Sequence, residues 1–140
     1  MANNLGQQSQ KDLLDIALRT TDSTNWATPG SIWVGLCTAT PTDTATNETT
    51  SGNNYVRKQI TFAPASLAAP AVSTGPTIVC TFTSAGGSWG TISGYALFAA
   101  STGSSGTSRY IAYGTVSPTV AITTNDVVEF AAGAMSLSFD

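Results

Sequence analysis

The sequence predicts an all-β chain: a single antiparallel β-sandwich of jelly-roll type, behind one short N-terminal amphipathic helix. Three observations predict it. Apolar residues recur at period two in segment after segment from Ser31 onward, the spacing of strands with a buried face. Clusters of Gly, Pro, Asn and Ser interrupt them every 8–15 residues or so, as in sandwiches built from short strands. Helical spacing is confined to the first twenty residues.

In that opening segment Ser9-Gln10-Lys11-Asp12 has the form of a capping box, and Leu13, Leu14, Ala17 and Leu18 follow on one side at helical spacing. Asp12 and Asp15 lie near the positive end of the helix dipole and Arg19 near the negative end. Residues 1–20 are therefore expected to form a helical arm, either a lid on the sheet or a docking element for a neighbour. Thr20 to Gly30 reads as a connection broken by Pro29-Gly30, and residues 31–140 as the sandwich domain.

The first strand alternates Ile32, Val34 and Leu36 with Trp33, Gly35 and Cys37, a pattern expected to be covered on both faces. Thr38 to Asn54 has no apolar periodicity and is long for a structureless loop in a compact domain. Tyr55 to Phe62 predicts a second strand, and the proline-bearing stretch Ala63 to Pro76 is expected to be extended or turning. Thr77 to Thr83 then places Ile78, Cys80 and Phe82 on one face. After the Ser84–Gly87 break, Thr91 to Ala99 and Arg109 to Val116 form the clearest hairpin candidate. A weak strand around Val120 and Ile122, then Asp126 to Ala131 and Met135 to Phe139, complete seven or eight strands.

Composition restricts function. The 140 residues are 41% hydrophobic, too apolar for a disordered chain, yet only 9% charged. Gln59 to Ser108 contains no Asp, Glu, Lys or Arg, histidine is absent, and Ser and Thr together make up more than a quarter of the chain. Catalytic machinery is built mostly from groups that titrate, so an enzyme is not expected. With a net charge of −3, and basic residues scattered over Lys11, Arg19, Arg57, Lys58 and Arg109, there is no basic face for nucleic acid. No run of apolar residues is long enough for a membrane span, and no secretory signal is expected from the polar start.

The remaining chemistry is sparse, and no catalytic, cofactor or metal site is predicted. Asp126 and Glu129 would lie on opposite faces of a strand, and Asp126 follows Asn125 in a turn where it can satisfy backbone amides. Asp43 and Glu48 could join a calcium site, but they lack EF-hand spacing and read as part of a solvated loop. Cys37 and Cys80 read as buried, reduced thiols. Trp33 and Tyr95 belong to strands and read as core, whereas Trp26 and Trp89 sit in connections, suited to a protein interface or to loop anchoring. The interface candidates are Leu13, Leu14, Leu18, Trp26 and Trp89. With so little charge to keep strand edges apart, the chain is expected to be covered by partners, including copies of itself.

Several segments, in order along nearly the whole chain, resemble small structural proteins of tailed bacteriophages, the tail-fibre-like or minor tail proteins. They are DLLDIAL, PGSIWVGLCTATPTDT, NNYVRKQITF, SWGTISGYALFAASTG and IAYGTVSPTVAITTNDVVEFAAGAMSLSFD. Where such relatives often carry Gly-Asp before the penultimate strand, this chain has Asn125-Asp126, a change compatible with a turn. The resemblance implies a non-enzymatic virion protein, assembled in the host cytoplasm, with no catalytic residues to carry over. Its expected placement is as a capsid cement or decoration protein, a dimer or trimer that binds the major capsid protein and bridges capsomers. The alternative is a tail-fibre or minor tail subunit among other tail proteins, with receptor or glycan binding as a further role.

Overall fold

The structure, a computed structural model, describes residues 32–49, 52–65, 71–77, 79–102 and 110–139. The expected helical arm, with Leu13, Leu14 and Leu18, and the connection bearing Trp26 lie outside the described residues. Eight strands are described: β1 (Ile32–Cys37), β2 (Lys58–Ile60), β3 (Ala71–Gly75), β4 (Cys80–Thr83), β5 (Gly90–Phe98), β6 (Tyr110–Ile122), β7 (Val127–Phe130) and β8 (Met135–Phe139). Every pairing is antiparallel. The all-β class is observed, and the described residues contain no helix. The strands bond as one four-stranded sheet, β2-β1-β5-β6, and two ribbons, β3-β8 and β4-β7, a pairing that does not trace the two broad sheets of a jelly roll.

The main core lies between these layers. Val34, Leu36, Ile60, Ile92, Leu97, Ala112 and Ile122 from the sheet meet Cys80 and Phe82 from β4 and Met135 from β8. Phe130 of β7 closes the cluster edge-on to Phe82 and Tyr95. A smaller cluster of Cys37, Ala96 and Phe98 lies on the opposite face of the sheet, with Trp33, Tyr110 and Tyr113 packed around it. The strand expected to be covered on both faces is so: from Val34 to Cys37, β1 is buried throughout.

Alternation alone mispredicts two faces. Strict period two sets Ile92 against Tyr95 and Leu97, yet all three pack in the main cluster. The cause is an irregularity in the β5–β6 pairing, where Ile92 faces Val120 but Gly94 faces Thr115. Pro118 falls within the unpaired β6 segment, on the outer strand of the sheet, where a missing N–H removes no ladder bond. A second shift between Leu97 and Phe98 sends Ile111 and Ala112 to one cluster and Tyr110 and Tyr113 to the other. The two β segments predicted for residues 109–122 are thus one long, bent strand.

β2 is shorter than its pattern predicts. Beyond Val34, the edge of β1 that residues 55–57 would occupy is taken by the Thr-rich loop: Thr49 N–H donates to Leu36 O and Cys37 bridges Glu48. The stretch before Pro76, expected to be extended or turning, contains β3 paired to β8 from Ala71–Phe139 to Gly75–Met135.

Candidate functional site

The Thr-rich loop is the part of the described chain whose structure departs furthest from expectation, and it builds the site. It is not a solvated excursion. Thr38 N–H donates to Asn47 O and Thr49 N–H to Leu36 O, so the loop returns antiparallel along β1. Its outer end is a turn in which Thr42 N–H donates to Ala45 O while the Thr42 hydroxyl accepts from Ala45 N–H. Asn53 and Asn54 then take positive φ and Tyr55 N–H donates to Gly52 O, reversing the chain into β2.

At the base of the loop an ion pair is sealed inside the protein. The Arg57 guanidinium grips Glu48 as a fork, Nε to Oε1 at 2.8 Å and Nη2 to Oε2 at 2.6 Å, with side chains only 3% and 5% exposed. Tyr55 donates its hydroxyl to Glu48 Oε1 and accepts the Leu36 N–H at 2.8 Å. Arg57 also donates Nη1–H to Ala100 O and lies 3.5 Å from the centroid of Phe98, a cation–π contact. Gly35 makes room for this group: a Cβ there would stand 2.5 Å from Glu48 Oε1 and 2.9 Å from the Phe98 ring. Burial, reinforced by the Glu48 charge, pushes the Tyr55 phenol up and the Cys37 thiol up to about 12. Both therefore stay protonated, and the carboxylate is occupied by donors. The arrangement is a clamp that fastens loop to sheet, with no activated nucleophile or free base.

The loop then crosses the second face of the sheet. Buried Pro41 lies where any side chain at Gly94 would be, and Tyr110 donates its hydroxyl to Thr42 O at 2.9 Å. Beneath it three aromatic residues stand in register across three strands, Trp33 opposite Phe98 and Phe98 opposite Tyr110. Tyr113 meets Tyr110 edge-on at 6.3 Å. Trp33, Tyr110 and Tyr113 are half-buried, and Phe98 is buried beneath Arg57. Burial first, then the Asp43 charge, raises both phenols, Tyr110 to about 12.

Other predicted positions fall elsewhere. Trp89 was a candidate interface residue because it sits in a connection, but it is 5% exposed and part of the main core. Its indole N–H donates to Asn53 O, its ring meets Tyr55 edge-on, and its carbonyl accepts the Thr49 hydroxyl. It anchors its own loop, because Gly86, Gly87 and Gly90, all at positive φ, bend the chain inward around it. Asp126 accepts Thr123 N–H and Oγ1–H, each at 2.7 Å, which holds its carboxyl below the usual range. Glu129 accepts from Thr81, its partner across the β4–β7 ribbon. The two carboxylates thus serve separate local contacts. Asp43 is exposed on the loop while Glu48 faces inward, and no group of three potential metal ligands occurs among the described residues. Cys37 and Cys80 are buried free thiols, in different clusters.

The Glu48–Arg57–Tyr55 clamp was missed in sequence. A usable signal existed: an acid and a base nine residues apart flanking an otherwise neutral loop, in a chain with few charges to spend.

Compared with known protein families, residues 4–138 match the sequence model of the family described as podophage GP4 fiber I protein gp80. No curated protein matches the chain significantly.

Proposed function

This chain belongs to the podophage GP4 fiber I protein gp80 family, a family of phage virion structural proteins, and from that premise we propose that it is a non-enzymatic subunit of a virion fibre. The match over residues 4–138 carries this reading, since it takes in most of residues 1–20, the loop and all the described strands but the last residue of β8. The chemistry supports it too: the buried charged residues are consumed in fastening a loop, and the carboxylates at the turn and the ribbon hold neighbouring hydroxyls. The family description names a fibre, so the fibre placement, the alternative weighed from sequence, stands ahead of capsid cement.

In this role the protein packs through a charge-poor surface against other virion proteins and further copies of itself, as a dimer or trimer. Residues 1–20 serve as the arm that docks on a neighbour, and residues 31–140 as the domain. Gold-labelled antibody against the chain, imaged on intact particles, tests the placement. Label at the fibres is expected; label spread over the shell overturns the fibre reading in favour of cement.

A further inference from the structure

We propose that β6 is the docking edge for a second copy of this chain, the two β6 strands pairing antiparallel about a two-fold axis so that the two four-stranded sheets join into one. The inference rests on the proposed role as a virion subunit, and it names the surface and the partner that this role leaves open.

Among the described strands, β6 is bonded on one side only, to β5. It is 13 residues long, and Thr115 and Ser117 to Ala121 are exposed. A bare edge offers a row of main-chain donors and acceptors, and most edges are kept short or charged against chance pairing. The opposite edge of the sheet follows that rule: β2 has 3 residues, includes Lys58, and runs on into residues 61–63, where the Thr61 carbonyl and the Ala63 N–H bond to Thr77 and Thr74. β6 does not follow it. Pro118 and the irregularity around it interrupt residues 116–119 alone, and the ladder with β5 is regular at Ala112–Thr115 and again at Val120–Ile122. Tyr110 and Tyr113 engage their side chains on the second face of the sheet, whereas strand pairing uses main-chain groups.

The composition of β6 selects a second copy as the occupant. In a two-fold antiparallel pair every residue meets one from the same strand, so a charge on the edge is set near its own copy. β6 contains no Asp, Glu, Lys or Arg, and the pair meets no such repulsion. β7, which leaves the same Thr123–Asp126 turn, starts beside Asp126 and carries Glu129, so two copies of that edge would bring carboxylates together. A foreign partner steered by charge finds nothing to read on β6. Apolar surface adds to the fit. Ile111 and Val116 are only partly buried against the main core and Val120 is exposed, and continuing the sheet covers that flank.

The test is sedimentation velocity of the full chain over a range of concentrations, beside two variants. Thr115→Lys with Ala121→Lys charges the β6 edge, and Thr83→Lys places a charge on the β4–β7 ribbon; all three positions are exposed, so far-UV circular dichroism is expected to be unchanged. The parent and Thr83→Lys are expected to be dimers, and the edge variant to dissociate with a Kd raised about tenfold or more. Hydrogen exchange on the parent needs no variant: main-chain amides of residues 112–121 are expected to slow as protein concentration rises, and those of residues 80–83 to stay constant. A trimer, a persistent monomer, equal weakening by Thr83→Lys, or exchange in β6 indifferent to concentration overturns the proposal. Gold label at the fibres alongside any of these results removes the β6 pairing and leaves the fibre reading standing.

Discussion

Glu48 and Arg57 show what one buried pair does in a chain this poor in charge. Two ions removed from water are tolerable only when each satisfies the other, and here the fork, the Tyr55 hydroxyl and the Ala100 carbonyl give every nitrogen of the guanidinium and both carboxylate oxygens a partner. Glu48→Gln leaves the guanidinium buried without its counter-charge, and urea denaturation is expected to register a loss of about 3–5 kcal/mol. Adding Arg57→Met to that variant should recover much of the loss, since the uncompensated charge is then gone. Ser93 offers the opposite case. Its hydroxyl is buried without a partner among the described residues, at the β5 irregularity. Ser93→Ala is expected to raise stability by about 1 kcal/mol in the same assay, because an unsatisfied polar atom is removed. Cys37 adds an alkaline limit. Its thiol keeps its proton to about 12 in the folded chain, against an ordinary value of 9.0. Between those values the unfolded chain binds fewer protons than the folded one, so stability falls as pH rises. Cys37→Ala should remove a slope of about 1.4 kcal/mol per pH unit from the alkaline limb of a pH–stability profile.

At the scale of elements, the loop from Thr38 to Thr49 behaves as an extra layer laid on the sheet. At Gly94 there is no room for a side chain: a Cβ there would collide with Pro41 Cδ of the loop and stand 2.8 Å from the Gly114 carbonyl. Gly94→Val should lift the loop, and limited proteolysis is expected to cut residues 38–49 well before the strands. A cleavage pattern unchanged from the parent would mean that the loop is held from its base alone. The loop's packing was illegible in sequence because its buried residues are Pro41, Thr46, Glu48 and Thr49, three of them polar, and together they carry no hydrophobic period. The β5–β6 hairpin was legible in outline, since both strands alternate and a Gly/Ser connection joins them. Its two register shifts were not, because they depend on which residues oppose one another.

For the whole molecule, the scarcity of charge is the dominant physical fact. Val56, Val79, Val120 and Val127 remain exposed, and the long outer strand β6 contains no charged residue. A surface of this kind is expected to be covered in the assembled particle. Sedimentation velocity should find the purified chain as a dimer or trimer, and a persistent monomer that binds no virion component would count against the structural role. Removing residues 1–20 is expected to weaken attachment while the far-UV β signal persists; loss of that signal would assign the arm to the core.

The all-β class, most strand positions, the double burial of β1 and the poverty of reactive groups were already determined by the linear order of residues. Alternation, turn chemistry and composition are local properties, so they can be read without knowing what lies alongside. The inward turn of Glu48 onto Arg57, the burial of Trp89, the bend in β6 and the division into one sheet and two ribbons were decided in three dimensions. Each depends on contacts between segments far apart in the chain, and neither spacing nor residue type encodes which distant edge a strand or loop will find.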